Sequence, residues 1–146
     1  MRHILVAAHG NMASAIGHSV KMIYGEVENL KCMDFYTEAD ATKTGNETID
    51  YDKRISEYFA ALNTADEVLI CTDIKEGSVS QKFLPYCTRP GVHMIVGVNL
   101  PAVLEAVMCD EPITKQTLGE IINVGREQMA AINMEDNSCE DIEDFF

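Results

Sequence analysis

A histidine and an aspartate each follow an apolar segment of strand length. His9 comes after the run Ile4–Ala8, and Asp73 comes after the run Glu67–Thr72. A carboxylate beside a histidine accepts a hydrogen bond from one ring nitrogen, which fixes the tautomer and leaves the other nitrogen available as a base or nucleophile. If the fold brings the two residues together, His9 is the expected nucleophile and Asp73 its orienting partner. Position alone leaves open the alternative that His9 is simply a polar residue at a strand end whose ring is hydrogen-bonded by a neighbour.

Small and polar residues follow both candidates and open helical segments. Gly10 and Asn11 come after His9, and Gly77 and Ser78 come shortly after Asp73. The N–H groups and the dipole at a helix N-terminus favour an anion such as a phosphoryl group. We therefore expect transient phosphorylation of His9, with these four residues contacting the phosphoryl group.

Other chemistries find little support in the sequence. Ser78 and Ser80 lack the G-x-S-x-G context of serine hydrolases, and neither G-x-G-x-x-G nor a Walker A lysine motif follows a strand. Asp34, Asp40 and Asp73 show no ligand spacing, so we expect no metal and no cofactor. The five cysteines are widely spaced and form no C-x-x-C pair, which favours reduced cysteines in a cytoplasmic protein.

Apolar strands alternate with helical periodicity along the chain. Strands are predicted at Ile4–Ala8, Leu30–Tyr36, Glu67–Thr72 and Val92–Val98, and Thr37–Asn46 is predicted to be a loop. Helices are predicted over about 11–24, 47–63, 78–87 and 101–109, with a fifth capped by Thr114. The apolar residues expected on the first helix are Met12, Ile16, Val20 and Ile23. Those expected on the fifth are Leu118, Ile121, Ile122, Gly125, Met129 and Ile132.

Four apolar strands separated by helices predict one α/β domain, a doubly wound and mainly parallel sheet with helices on both faces. We expect the strand order 2-1-3-4, to which an extra edge strand could be added. Ligands of such sheets bind beyond the carboxyl ends of the strands, where the strand order reverses. This order places the reversal between the first and third strands and sets His9 beside Asp73.

The chain is acidic, with 24 acidic and 11 basic residues and a net charge of −13. This balance argues against a nucleic-acid partner, because phosphate neutralisation needs a basic surface. Six of the acidic residues lie in the last twelve positions, and removing them takes the net charge from −13 to −7. We therefore divide the chain into a folded domain, 1–133, and an acidic C-terminal tail, 134–146.

Several motifs resemble, in order, the IIA component of the mannose/fructose/sorbose family of the phosphoenolpyruvate-dependent sugar phosphotransferase system (PTS). The likeness covers roughly residues 1 to 133. The matching residues are Ile4–Gly10, Met12-Ala13, Gly25–Asn29, Asp73, Gly97–Pro101, Leu104-Glu105 and Gly125–Glu127.

The resemblance implies a function and partners. His9 would accept a phosphoryl group from the carrier protein HPr and pass it to a IIB protein, with Asp73 orienting and polarising His9. The membrane subunits IIC and IID would be involved indirectly, during sugar uptake. Members are usually homodimers, in some cases with an exchanged edge strand. Because the sequence stops after the IIA segment, we expect IIB to be a separate polypeptide.

The segment after Asp73 departs from the family pattern. The family usually has Asp-x-x-Gly-Gly-Ser-Pro, whereas this chain has Glu76 in place of the first glycine and Val79 in place of the proline. Glu76 brings a negative charge near a site that must hold phosphate. The positive charge of Lys75 could offset it, or either side chain could point to solvent. Glu76 therefore leaves open the alternative of a IIA-like regulatory or interaction module. A second alternative is the phosphotransfer subunit of dihydroxyacetone kinase, which resembles this family in fold but typically has His-Ser where this chain has His9-Gly10.

Overall fold

The computed structural model describes residues 1–133 and shows a four-stranded parallel sheet with the strand order β2-β1-β3-β4. The predicted fold class and strand order are confirmed. The elements are β1 (Arg2–His9), α1 (Met12–Ile23), β2 (Leu30–Phe35), α2 (Glu38–Ala41), α3 (Tyr51–Ala60), β3 (Glu67–Thr72), α4 (Ser78–Phe83), β4 (Val92–Val96), α5 (Leu100–Met108) and α6 (Lys115–Glu127), with two 3-10 turns at Gly45–Glu47 and Leu84–Thr88. The predicted acidic tail, 134–146, lies outside the described residues.

The middle of each central strand is apolar because both of its faces are covered. In β1, Ile4, Val6 and Ala8 pack toward α1, α5 and α6, whereas Leu5 and Ala7 pack toward α3 and α4. All five residues are buried. Alternate side chains of a strand point to opposite faces, so a run with no polar residue is what a sheet sandwiched between helices requires.

Side chains cap three of the longer helices. Asp50, Asn99 and Thr114 accept hydrogen bonds from backbone N–H groups in the first turns of α3, α5 and α6. Such caps satisfy donors that have no partner inside the helix, and each stabilises a helix by about 1 kcal/mol. The predicted cap at Thr114 is confirmed.

Several predicted boundaries were wrong. The predicted loop Thr37–Asn46 contains α2, which Thr37 starts with a capping box, and the first residues of a 3-10 turn. The helix predicted over 47–63 is shorter, because Asp50 caps it at its start and Ala61 ends it. The helix predicted over 78–87 changes into the 3-10 turn after Phe83.

Two strands also end earlier than predicted, each at a residue with a left-handed backbone. The second strand stops at Phe35 because Tyr36 has a φ of +57°, and the fourth stops at Val96 because Gly97 has a φ of +71°. An extended strand cannot continue through such a φ value.

The predicted apolar helix faces were partly wrong. Ala13, Ile16 and Val20 form the buried face of α1, whereas Met12 and Ile23 are exposed. Helix α6 ends at Glu127, so Met129 and Ile132 lie beyond it and are exposed.

Strand register places the ends of β1 and β3 side by side. Ala7 pairs with Thr72, and His9 pairs with Phe35 on the other neighbouring strand. The segments that follow all three strands therefore meet at one edge of the sheet, around His9.

Candidate active site

His9 is the last residue of β1, and its position depends on the turn that follows. Gly10 has a φ of +60°, and its N–H donates to the carbonyl of Phe35 at 2.7 Å. Glycine adopts this left-handed conformation without the strain that a Cβ imposes. The chain thus leaves the sheet sharply at Gly10 and enters α1, with His9 at the sheet edge.

Asp73 holds His9 through two hydrogen bonds to one oxygen. Its Oδ2 accepts the backbone N–H of His9 at 2.8 Å and lies 2.8 Å from Nδ1 of the imidazole. An ionised carboxylate can only accept, so Nδ1 carries the proton and Nε2 carries the lone pair. The predicted juxtaposition of the two residues is present in the structure.

The Asp73 carboxylate is largely withdrawn from water. Its side chain is only 6% exposed, and Oδ1 is buried without a hydrogen-bond partner among the described residues. Burial raises the pKa of Asp73, but the hydrogen bonds from the amide and ring of His9 and the attraction to that ring outweigh it, so the pKa lies below its ordinary value. Asp73 is therefore ionised at neutral pH.

The other ring nitrogen of His9 faces the open side of the site. Nε2 lies 3.2 Å from Oγ of Ser78, and the His9 side chain is 38% exposed. With the proton on Nδ1, the Ser78 hydroxyl donates to Nε2. Nε2 is thus hydrogen-bonded by a side-chain hydroxyl, and the ring is only partly enclosed by the fold.

Helix α1 begins shortly after His9. An aspartate from the neighbouring strand accepts a hydrogen bond from a backbone N–H group in the first turn of this helix. Asn11 precedes the helix but makes no side-chain capping bond. Instead, Oδ1 of Asp34 accepts the N–H of Ser14 at 2.9 Å. Asp34 therefore anchors the start of α1 to β2, which fixes the helix N-terminus relative to His9.

A buried hydroxyl pair anchors the loop between Asp73 and α4. The Oγ atoms of Thr72 and Ser80 lie 2.7 Å apart, and Ser80 donates to the carbonyl of Ile74 at 2.7 Å. The same carbonyl accepts the N–H of Gly77 at 3.2 Å, which closes a turn. These bonds position Gly77, which precedes α4, and Ser78, which begins it.

Glu76 occupies this turn with a φ of +61°. Lys75, the second residue of the turn, has a negative φ, and Glu76, the third, has a positive one. Turns with this combination favour glycine at the third position. A left-handed backbone thus explains why the family pattern has glycine where this chain has Glu76. The side chains of Lys75 and Glu76 are both exposed, so the charge of Glu76 is solvated.

Sequence reasoning missed Tyr36, whose ring lies against the imidazole. The ring centroids of Tyr36 and His9 are 5.6 Å apart, with their planes at 48°. The sequence did contain one indication: Tyr36 directly follows Phe35, the last residue of β2, which pairs with His9. The apolar pattern instead placed Tyr36 at the end of the predicted strand Leu30–Tyr36.

The remaining aspartates of the candidate acidic group have structural partners of their own. Asp34 anchors α1, and Asp40 belongs to the capping box of α2. Among the described residues, a cavity of 730 Å³ lies at the opposite end of the sheet, between the beginnings of the strands, and neither His9 nor Asp73 lines it. The chemical groups therefore converge at the other edge of the sheet and not in this cavity.

Comparisons with known proteins agree with this fold and with the resemblance. The family model described as the PTS system fructose IIA component, EIIA-man, matches residues 3–124. The sorbose-specific EIIA component of Klebsiella pneumoniae is 32% identical over 108 residues, which cover 73% of this chain and 73% of that protein.

Two further proteins extend the comparison. The mannose-specific EIIAB component of Escherichia coli strain K12 is 26% identical over 132 residues, covering 88% of this chain but only 39% of that longer protein. A crystal structure from Klebsiella pneumoniae, assigned to a sugar phosphotransferase system permease, matches with a TM-score of 0.79 and 26% identity over 92% of this chain and 93% of that one. Because the family model covers most of the sequence and the fold agrees, this chain belongs to the EIIA-man family, the mannose and sorbose family of PTS IIA components.

Proposed function

We propose that this chain accepts a phosphoryl group from phospho-HPr on Nε2 of His9 and passes it to a IIB protein during coupled sugar uptake and phosphorylation. The observation that carries the proposal is the His9–Asp73 pair at the carboxyl edge of the sheet. Asp73 holds the proton on Nδ1, while Nε2 faces the open side of the site.

The transfer follows from this protonation state. The lone pair of Nε2 attacks the phosphorus of phosphohistidine on the carrier, a new P–N bond forms, and the P–N bond to the carrier's imidazole breaks. The proton stays on Nδ1, so the phosphorylated His9 ring gains positive charge, and the Asp73 carboxylate stabilises it. In the second transfer a nucleophile of the IIB protein attacks the phosphorus, and the P–Nε2 bond breaks. This step regenerates His9.

The groups around Nε2 suit a phosphoryl group. The Ser78 hydroxyl can turn from Nε2 to a phosphoryl oxygen once the lone pair of Nε2 is used. On the other side, Gly10 and Asn11 lead into the N-terminus of α1, a helix of twelve residues whose dipole favours an anion. We assign phosphoryl-binding roles to Gly10, Asn11, Gly77 and Ser78.

The surface around His9 supports a protein partner. Met12, Tyr36 and Ile74 follow the ends of β1, β2 and β3, and all three are exposed. Exposed apolar side chains around a reactive residue are typical of surfaces where proteins dock. As the family resemblance implies, we take HPr and a IIB protein as the direct partners, with IIC and IID involved indirectly. The acidic composition argues against a nucleic-acid partner.

The proposal also places the protein in the cytoplasm as a homodimer. The four cysteines within the described residues are free thiols, as expected for a reducing compartment. No helix in the described part of the chain is long and apolar enough to cross a membrane. The dimer comes from the family resemblance, and light scattering of the purified chain tests it.

Incubation with phosphoenolpyruvate, enzyme I and HPr tests the proposed function. We expect one acid-labile phosphohistidine on this chain, absent in His9→Ala and retained in His18→Ala. His18 is the matched control because it is an exposed histidine on α1. Failure to label the chain under conditions that label HPr would contradict the proposal. Labelling without onward transfer to any IIB protein would instead favour a regulatory module.

A further inference from the structure

Tyr36 has a backbone conformation that needs an explanation. Its φ of +57° is in the left-handed region, which strains a non-glycine residue and persists only where the surroundings hold it. The residue is 43% exposed, so burial of its ring in the core does not account for the conformation. What the conformation does achieve is to place the ring beside the imidazole of His9.

A dedicated network holds Tyr36 in this conformation. The hydroxyl of Tyr51 accepts the N–H of Tyr36 at 2.9 Å and donates to Oδ2 of Asp40 at 2.8 Å. Asp40 is itself fixed by the capping box with Thr37 at the start of α2. Helix α2, which was not predicted, thus supplies the Asp40 carboxylate that orients the Tyr51 hydroxyl. That hydroxyl in turn accepts the hydrogen bond from the backbone N–H of Tyr36.

Aromatic contacts fix the Tyr36 ring as well as its backbone. The Tyr51 ring meets it edge-on at 4.9 Å between centroids, and the Phe35 ring meets it at 5.9 Å. Phe35 is fully buried and pairs with His9 across the sheet. The Tyr36 ring is therefore held by neighbouring aromatic rings, whereas the His9 side chain that it contacts is 38% exposed.

We propose that Tyr36 is a positioning residue for His9, whose ring restrains the imidazole and limits the approach of water to the phosphoryl group that the imidazole carries. The inference rests on the proposed function. Hydrolysis would require a water oxygen to attack phosphorus as the P–Nε2 bond breaks, releasing phosphate and returning a neutral imidazole. A ring packed beside the imidazole removes part of the space from which water can attack.

The same ring also suits the charge of the phosphorylated imidazole. With Nδ1 protonated and Nε2 bonded to phosphorus, the imidazole is cationic. Aromatic rings attract nearby cations through the negative charge of their faces. The Tyr36 ring and the Asp73 carboxylate would thus both stabilise the same charge, while the hydroxyl of Ser78 lies at Nε2.

The test uses phosphoramidate, a small phosphoryl donor, so that labelling of His9 does not depend on HPr. The full chain is phosphorylated, the donor is removed, and loss of phosphohistidine is followed at neutral pH. We expect Tyr36→Leu to hydrolyse about 2- to 10-fold faster than the wild type, which corresponds to the energy of one aromatic contact. Tyr36→Phe keeps the ring and should hydrolyse within about 2-fold of the wild type.

Control variants separate positioning from folding. Tyr24→Leu removes an exposed tyrosine at the end of α1 and should leave hydrolysis unchanged. Tyr36→Asn removes the ring but tolerates a left-handed backbone, so it replaces the leucine variant if that one does not fold. Tyr51→Phe removes the acceptor of the Tyr36 N–H and should show part of the acceleration.

A second readout needs no phosphorylation. The ring current of Tyr36 acts on the Cε1 proton of His9, so the NMR shift of this proton should change in Tyr36→Leu or Tyr36→Asn and persist in Tyr36→Phe. Unchanged hydrolysis and an unchanged proton shift in folded variants without the ring would overturn the inference. So would acceleration by Tyr36→Phe equal to that of Tyr36→Leu. Labelling by phosphoramidate but not by phospho-HPr would contradict the proposed function alone.

Discussion

Oδ2 of Asp73 accepts both the backbone N–H and the ring Nδ1–H of His9, each at 2.8 Å. One carboxylate oxygen therefore fixes the position of the main chain and the orientation of the side chain together. The pair joins the ends of β1 and β3, so the sheet itself sets the geometry of the proposed nucleophile.

Neutralising this carboxylate should slow phosphorylation. In Asp73→Asn the side chain keeps its shape but loses its charge, so the cationic ring formed during transfer is less stable. A hydrogen bond to a charged group contributes about 1.5–3 kcal/mol, so we expect a loss of roughly 10- to 100-fold in the rate. Rapid-quench measurement of transfer from phospho-HPr provides the rate. An asparagine variant as fast as the wild type would show that Asp73 has no part in the reaction.

The same pair should contribute to stability in a pH-dependent way. The folded-state pKa of Asp73 lies below its ordinary value, because the hydrogen bonds from His9 outweigh the effect of burial. Its contribution is therefore fully present above the unfolded pKa of about 3.9 and is lost as the pH falls through the folded pKa. Urea unfolding of the wild type and Asp73→Asn from pH 7 to pH 3 should show a stability difference that shrinks only at the acid end. A difference that stays constant over this range contradicts the assignment.

Glu76 should cost stability because of its backbone, not its charge. Glu76→Gly and Glu76→Ala both remove the carboxylate, but only glycine adopts a φ of +61° freely. We expect the glycine variant to unfold with a free energy about 1 kcal/mol higher than that of the alanine variant, as measured by urea denaturation. Equal stabilities would mean that the turn relaxes to accommodate a side chain.

The Thr72–Ser80 hydroxyl pair should support both the fold and the reaction. Ser80→Ala removes the buried donor to the carbonyl of Ile74 and one partner of Thr72, at a cost of about 1–3 kcal/mol. Because this carbonyl anchors the loop that carries Ser78, we also expect slower phosphorylation of His9 at temperatures where the variant is folded. Ser56→Ala, which loses an exposed hydroxyl bond on α3, is the matched control for both measurements. Phosphorylation at the wild-type rate in folded Ser80→Ala would show that the loop does not need this anchor.

The sheet and the His9–Asp73 pair were predictable because their signals are local and strong. Runs such as Ile4–Ala8 are apolar without interruption, which at that length is typical of a strand buried on both faces. Parallel strands carry the residues after them to the same edge, so strand order alone brings Asp73 to His9.

Other features were not predictable because they depend on tertiary contacts. The left-handed backbone of Tyr36 is held by the hydroxyl of Tyr51, fifteen positions further along the chain. Helix α2 has only four residues and no buried side chain, so no apolar periodicity marks it. The positive φ of Glu76 was concealed because glutamate stands where such a turn usually has glycine.

The nitrogen that carries the phosphoryl group tests the central claim most directly. NMR of the chain labelled with ¹⁵N-histidine, recorded before and after phosphorylation by phospho-HPr, distinguishes the two ring nitrogens of each histidine. We predict phosphorus on Nε2 of His9 alone, with a proton retained on Nδ1 facing Asp73. Phosphorus on Nδ1 of His9, or on any other histidine, would contradict the account.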